Sequence, residues 1–193
     1  MEKEKVFSVE LSYIKNTEYR KNAITLINLL PDYFFEVPAS STGKYHPTFA
    51  LNNGGLVRHT KVAVKIANEL FKDESISGAY SNNEKDLMLI ALILHDGLKS
   101  GFIKSEYTNF DHPILISNYI KENKDKLSFK DKEIEFLTTG IESHMGPWNT
   151  SNYSEIILPI PVMRHQRFIH MCDYIASRKF LDVKFDNNNN ICD

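Results

Sequence analysis

The sequence predicts an all-α, single-domain helical bundle. Three observations carry this: apolar residues recur at helical spacing in several segments, one long apolar run has no strand-like alternation, and Gly/Pro-rich breaks separate the segments. At 193 residues, 42% hydrophobic and 25% charged, the chain can bury one sizeable core and is too short to suggest two independent ones.

From Glu18 to Leu30, apolar residues at Ile24, Ile27 and Leu30 predict a helix closed by the Pro31-Asp32 turn. Tyr33 to Asn53 is irregular, with Pro38, Gly43 and Pro47, and a loop of that length is more often functional than incidental. Leu56 to Phe71 places His59, Ala63, Ile66 and Leu70 on one stripe, with Lys61, Lys65 and Asn68 elsewhere, so His59 is expected to face the core. After a polar break from Ser75 to Asn83, the run Leu87 to Leu94 reads as a helix buried all round, ending at His95-Asp96.

His112 to Glu122 and Asp131 to Ser143 are further helices; the second puts Ile134, Leu137, Ile141 and His144 on one stripe and is stopped by Gly146-Pro147. A loop with Pro159 and Pro161 leads to a last helix from Arg164 to Leu181, on which Ile169, Asp173, Ala176 and Phe180 share the inward face. Residues 186–193, rich in Asn, read as a flexible tail to a domain spanning 1–185.

The N-terminal charges precede no apolar run, which predicts neither a signal peptide nor a membrane helix and makes the cytoplasm the default location. Cys172 and Cys192 form no CxxC pair and are expected to be free thiols. A net charge of -2 without a long basic run disfavours an obligate binder of long nucleic acid, although Arg164, Arg167, Arg178 and Lys179 could grip a short strand.

Chemistry concentrates at His59, His95, Asp96 and Asp173. Inward carboxylates lose hydration worth several kcal/mol unless compensated, and a divalent metal is the simplest compensation. Two imidazoles and two carboxylates make a mixed nitrogen and oxygen donor set suited to Mn, Fe, Zn, Co or Ni. Singly, each residue also reads as a hydrogen-bonded core group; the joint pattern of His, His-Asp and Asp on separate helices is what points to metal.

That pattern resembles the HD superfamily of metal-dependent phosphohydrolases, whose signature is H, then HD, then D across a helical bundle. The resemblance runs from about Tyr33 to Phe180. Pro38-Ala-Ser-Ser-Thr-Gly-Lys-Tyr-His-Pro47, followed by Gly54-Gly-Leu-Val-Arg-His-Thr60, is similar to the HD domain of bacterial exoribonucleases that degrade RNA from the 3′ end. Asp111-His-Pro-Ile and Ser143-His-Met-Gly146 sit where two-metal HD proteins carry extra histidines, so the resemblance adds His112 and His144 to the ligands. The chain departs from the pattern in His95-Asp-Gly-Leu-Lys99, where many relatives have glycine one position later; Lys99 keeps the place of the family's lysine.

The resemblance implies an enzyme of one or two divalent transition-metal ions that hydrolyses a nucleotide, dinucleotide or short phosphodiester with metal-activated water. Asp96 would bridge two ions, and Asp96 and Lys99 would be catalytic. Lys44, His46, Arg178 and Lys179 are candidate substrate contacts, and Trp148 or Tyr153 could stack a base. His170, three residues before Asp173, is a rival ligand expected to support the site or the core instead. The alternatives are a 3′-end exonuclease on RNA or single-stranded DNA and a noncatalytic nucleotide-binding sensor. The expected partner is a nucleotide or short oligonucleotide, with no membrane and with a homo-oligomer left open.

Overall fold

The computed structural model describes residues 2–44, 46–181 and 183–192, and within them the fold is all-helical. Helices α1 (Lys3–Val6), α2 (Ser8–Tyr13) and α3 (Thr17–Leu29) precede the long loop; α4 (Gly55–Leu70), α5 (Glu74–Ser77), α6 (Asn82–Leu94), α7 (His112–Glu122), α8 (Asp131–Glu142) and α9 (Arg164–Ala176) follow it. Among the described residues no helix is long and apolar enough to cross a membrane.

Helix α6 is the axis of the bundle. It packs against α2, α3, α4, α8 and α9, and every residue from Leu87 to Leu94 is buried, as an apolar run without a polar face requires. Its start is set by a capping box: Ser81 Oγ accepts from the Glu84 amide while the Glu84 carboxylate accepts from the Ser81 amide. Helix α4 lies against α9 and α6, and α7 against α8.

Several elements differ from the sequence expectation, among them α5, which lies largely in the stretch expected to be a polar break. The last helix ends at Ala176 rather than Leu181, and Phe180 is 80% exposed, not inward. The Ser177 amide there donates to both the Asp173 and Tyr174 carbonyls, and the Arg178 side chain takes the Tyr174 carbonyl, so the last carbonyls are satisfied without another turn. Helices α1 and α2, which lack a long periodic stripe, were not legible; they insert Phe7 and Leu11 into the core and bring Glu10 onto Lys61. Lys61 lies off the apolar stripe of α4 yet is fully buried, its Nζ 3.5 Å from Glu10 Oε2.

The long loop is pinned to α4. Val37 and Glu36 carbonyls accept from the Leu56 and Gly54 amides, and the Arg58 guanidinium donates to the Phe49, Leu51 and Asn53 carbonyls. Arg58 also reaches Asn189 Oδ1 at 2.7 Å, and Phe185 bridges to Ile191 with its ring on Phe49. The described part of segment 186–193 thus folds back onto α4 as a turn organised by Asp186, instead of projecting as a free tail.

Candidate metal centre and cavity

Six side chains from separate parts of the chain converge under the long loop. His59 comes from α4, His95 and Asp96 from the end of α6, His112 from the first turn of α7, His144 from just beyond α8, and Asp173 from α9. All but Asp173 are nearly inaccessible to solvent, and Asp173 is largely covered. The metal-ligand set expected from the sequence is therefore brought together.

The end of α6 does this by tight turns. The Gly97 amide donates to the Leu94 carbonyl and the Lys99 amide to the Asp96 carbonyl, so the chain continues to curl after His95. Gly97 keeps this turn compact: a Cβ there would lie 2.6 Å from Leu30 Cδ2 and 3.0 Å from the Leu94 carbonyl oxygen. Lys99 is thereby carried back over Asp96, its Nζ 2.6 Å from Oδ2.

Hydrogen bonding on the far side of three imidazoles orients them. His95, His112 and His144 each donate Nδ1–H, at 2.7 Å, to the carbonyls of Leu92, Asn109 and Ile141. A carbonyl can only accept, so Nδ1 carries the hydrogen in each ring and Nε2 is the nitrogen turned to the centre, the orientation that supports metal-ligating histidines. His112 Nε2 is 3.4 Å from His144 Nε2 and 3.0 Å from Asp96 Oδ1, and His144 Nε2 is 3.7 Å from the same oxygen. Acceptors facing acceptors at this spacing repel unless a proton or a metal ion lies among them.

On the other side of Asp96, His59 Nε2 lies 2.9 Å from Asp173 Oδ1, and His95 Nε2 is 3.4 Å from both Asp173 Oδ1 and Asp96 Oδ2. Two overlapping groups, His59/His95/Asp173 and His95/Asp96/His144, each bring one donor atom per residue within 4.8 Å of the others and could hold a metal ion. The buried polar atoms without a hydrogen-bond partner include His95 Nε2 and Asp96 Oδ1, both turned to the centre, where a cation would satisfy them.

No family model, curated protein or solved structure matches this chain. The chemistry of the site rests on its own geometry.

Without metal, charges and burial divide the cluster. Burial opposes charging of His95, but the Asp96 and Asp173 carboxylates outweigh it and raise the imidazole to about 10. Burial and the neighbouring His95 push His144 down to about 3. Burial disfavours the Asp96 and Asp173 carboxylates, yet Lys99 and His95 at the first, and His59 and His95 at the second, hold both well below the usual range. The centre is thus built to keep two carboxylates ionised in the core, with Lys99 and His95 offsetting the first of them.

A cavity of about 500 Å³ opens above the cluster, with Asp96, His112, His144 and Asp173 on its floor and Lys99, His46, Trp148, His170, Tyr174 and Arg178 among its walls. His46, from the long loop, sets its ring edge-on to His59 at 5.2 Å; burial, then His59, lowers it to about 3, so it stands neutral. His170 donates Nδ1–H to the His144 carbonyl at 2.7 Å and belongs to neither metal-ligating group, in keeping with a supporting role.

Three candidate contacts do not line the cavity. Lys44 and Lys179 are exposed and Tyr153 is 97% exposed, since each projects from a loop or beyond the end of α9. Arg178 lines the wall, but its guanidinium lies 4.1 Å from the Tyr174 ring centroid and donates to Ser177 Oγ. Tyr174 and Thr108 were missed; the only signal for Tyr174 is that it follows Asp173.

Proposed function

We propose that this chain is an HD-type metal-dependent phosphohydrolase acting on a nucleotide, dinucleotide or short phosphodiester. The observation that supports it most is the convergence of imidazole Nε2 atoms on the Asp96 carboxylate at the floor of a cavity sized for a small ligand.

His59, His95, Asp96 and Asp173 would hold one ion, and Asp96 with His112 and His144 a second. Bound metal supplies charge neutralisation for phosphate oxygens and a water nucleophile that is deprotonated near neutral pH. Mixed imidazole and carboxylate donors suit manganese, iron, zinc, cobalt or nickel.

The remaining work falls to the side chains. Asp96 is placed to face both ligand groups because it sits in the turn after α6, with Oδ1 towards His112 and Oδ2 towards His95. Lys99 fixes Oδ2 at 2.6 Å and adds a positive charge beside the incoming phosphate. The loop bearing Ala39, Ser40 and His46 covers one side of the cavity, which limits water and strengthens each charge interaction inside it. Trp148 and Arg178 line the same cavity and would flank a substrate seated over the floor.

The test is metal analysis of the purified protein joined to turnover of mononucleotides, dinucleotides and long oligomers at two ionic strengths. We expect bound transition metal, metal-dependent hydrolysis favouring the small substrates with modest salt dependence, and loss of metal and turnover in Asp96→Ala. Binding without turnover would support a sensor instead. Preference for long strands that falls steeply with salt would support an exonuclease.

A further inference from the structure

The wall of the cavity beside Asp173 is aromatic and layered. Trp148 stacks on Tyr174 with ring centroids 5.7 Å apart and planes inclined by 12°, and Arg178 packs its guanidinium on the same Tyr174 ring. Tyr174 follows Asp173 on α9, so the register that aims the carboxylate at the centre also fixes this ring at the cavity wall.

The indole is held but not covered. Gly146 takes a left-handed φ of 61°, and a Cβ there would lie 2.2 Å from the His170 ring, so this glycine lets the chain turn closely over His170 to reach Trp148. The loop beyond is tied down by the Leu158 amide to the Asn149 carbonyl, and by Ser154 Oγ to the Asp111 carboxylate. Yet Trp148 remains 53% exposed and Tyr174 37% exposed. A half-exposed indole, stacked on Tyr174 at the wall of the cavity, still offers aromatic surface to a ligand and, held in that stack, has less ordering entropy left to lose.

We propose that Trp148, backed by Tyr174, is the base-binding face of the cavity, so that the substrate carries a nucleobase next to the phosphate at the floor. The inference rests on the phosphohydrolase reading for the group at the floor, and it deepens that reading by assigning the residues that would hold a nucleobase next to the phosphate. The two rings already stack directly on each other, which leaves no room for a third between them; the base lies on the outer face of Trp148. Arg178, committed to Tyr174 and Ser177, stiffens the stack rather than gripping phosphate. Recognition by stacking tolerates any base, since every base has a π-face.

Trp148 is the single tryptophan of the chain, so tryptophan emission, excited selectively over tyrosine, reports on this wall alone. The experiment titrates AMP, ribose 5-phosphate and phenyl phosphate into the intact, manganese-supplemented protein and into Trp148→Ala and Trp148→Phe, with affinities from calorimetry. AMP is expected to quench the fluorescence and to bind at least about five-fold more tightly than ribose 5-phosphate or phenyl phosphate, the lower end of base–aromatic stacking. Trp148→Ala is expected to abolish that preference and Trp148→Phe to keep part of it, with metal content unchanged in both. Equal affinity for AMP and ribose 5-phosphate, phenyl phosphate binding as well as AMP, or an unaltered AMP affinity in Trp148→Ala would each overturn the proposal. Turnover plays no part in this readout: AMP binding through Trp148 with no hydrolysis of any nucleotide, dinucleotide or short oligomer would sink the phosphohydrolase reading alone, and hydrolysis indifferent to Trp148 would sink the base-binding face alone.

Discussion

Histidine chemistry in this protein is set by what each ring's far nitrogen meets. Of seven histidines, six gather at the candidate metal cluster or the cavity, and three of those are turned inward by a carbonyl on Nδ1. The seventh, His165, is a contrast: it stacks on Phe136 at 3.9 Å in the α8–α9 interface, and burial lowers its pKa against a weaker pull from Glu84. Its titration therefore bears on stability. Above about pH 6.5 the ring is neutral in both folded and unfolded chains; below that, the unfolded ring takes up a proton that the folded ring resists, so stability falls as pH drops. Urea unfolding at pH 7.5 and 5.5 should show this loss, and His165→Phe, which keeps the stack on Phe136 and cannot charge, should lose less than the parent over that interval. An identical pH dependence in the two proteins would remove His165 from the account.

At the scale of elements, the site depends on how the long loop enters α4. Gly54 adopts a left-handed φ of 73°, and Gly55 begins the helix with its α-carbon against the loop: a Cβ there would sit 2.2 Å from the Ala50 carbonyl oxygen and 3.1 Å from Pro38 Cα. Backbone cannot give way as a side-chain end can, so Gly55→Ala has to push the loop off the helix start. His59 is one turn further along α4, and His46 rides on the displaced loop. The expected cost is about 1–3 kcal/mol, typical of overpacking, seen as a lower urea midpoint and accompanied by weakened metal binding. Gly78→Ala is the comparison, because its close contact is with a carbonyl in the short α5, away from the cavity. If Gly55→Ala lowers stability but leaves metal affinity intact, the loop does not position the ligands.

For the whole molecule, the candidate centre is a tie between elements that are otherwise held by apolar packing. Its ligands come from α4, α6, α7 and α9 and from the turn after α8, so a cation that binds only the folded chain stabilises the entire bundle. With free metal at about a thousand times its dissociation constant, the linkage amounts to roughly 4 kcal/mol, or a shift in Tm of roughly 10 °C for a chain of this size. Differential scanning calorimetry before and after chelation should show that drop, and restoring manganese should reverse it. A Tm that ignores the chelator would mean that the imidazoles and carboxylates are satisfied by one another and by protons.

Helical periodicity is local, and what it encodes was legible in the sequence. The α-class of the fold, the buried α6 run and the inward faces bearing His59, His95, Asp96 and Asp173 all follow from spacing within single segments. The additional ligand candidates, His112 and His144, rested on resemblance, and only the tertiary structure placed their Nε2 atoms 3.0 and 3.7 Å from Asp96. Contacts between distant segments have no period to reveal them. Lys61 lies off the apolar stripe of α4, yet Glu10 from α2 meets it in the core; residues 186–192 look like a polar tail, yet Arg58 captures Asn189. Lys44 and Lys179 are the right residue type for phosphate and point elsewhere, while Tyr174 carries no motif and joins Trp148 across the chain. A sequence determines which face of a helix is apolar because that depends on neighbours three and four residues away; which two faces meet is decided only when the bundle closes.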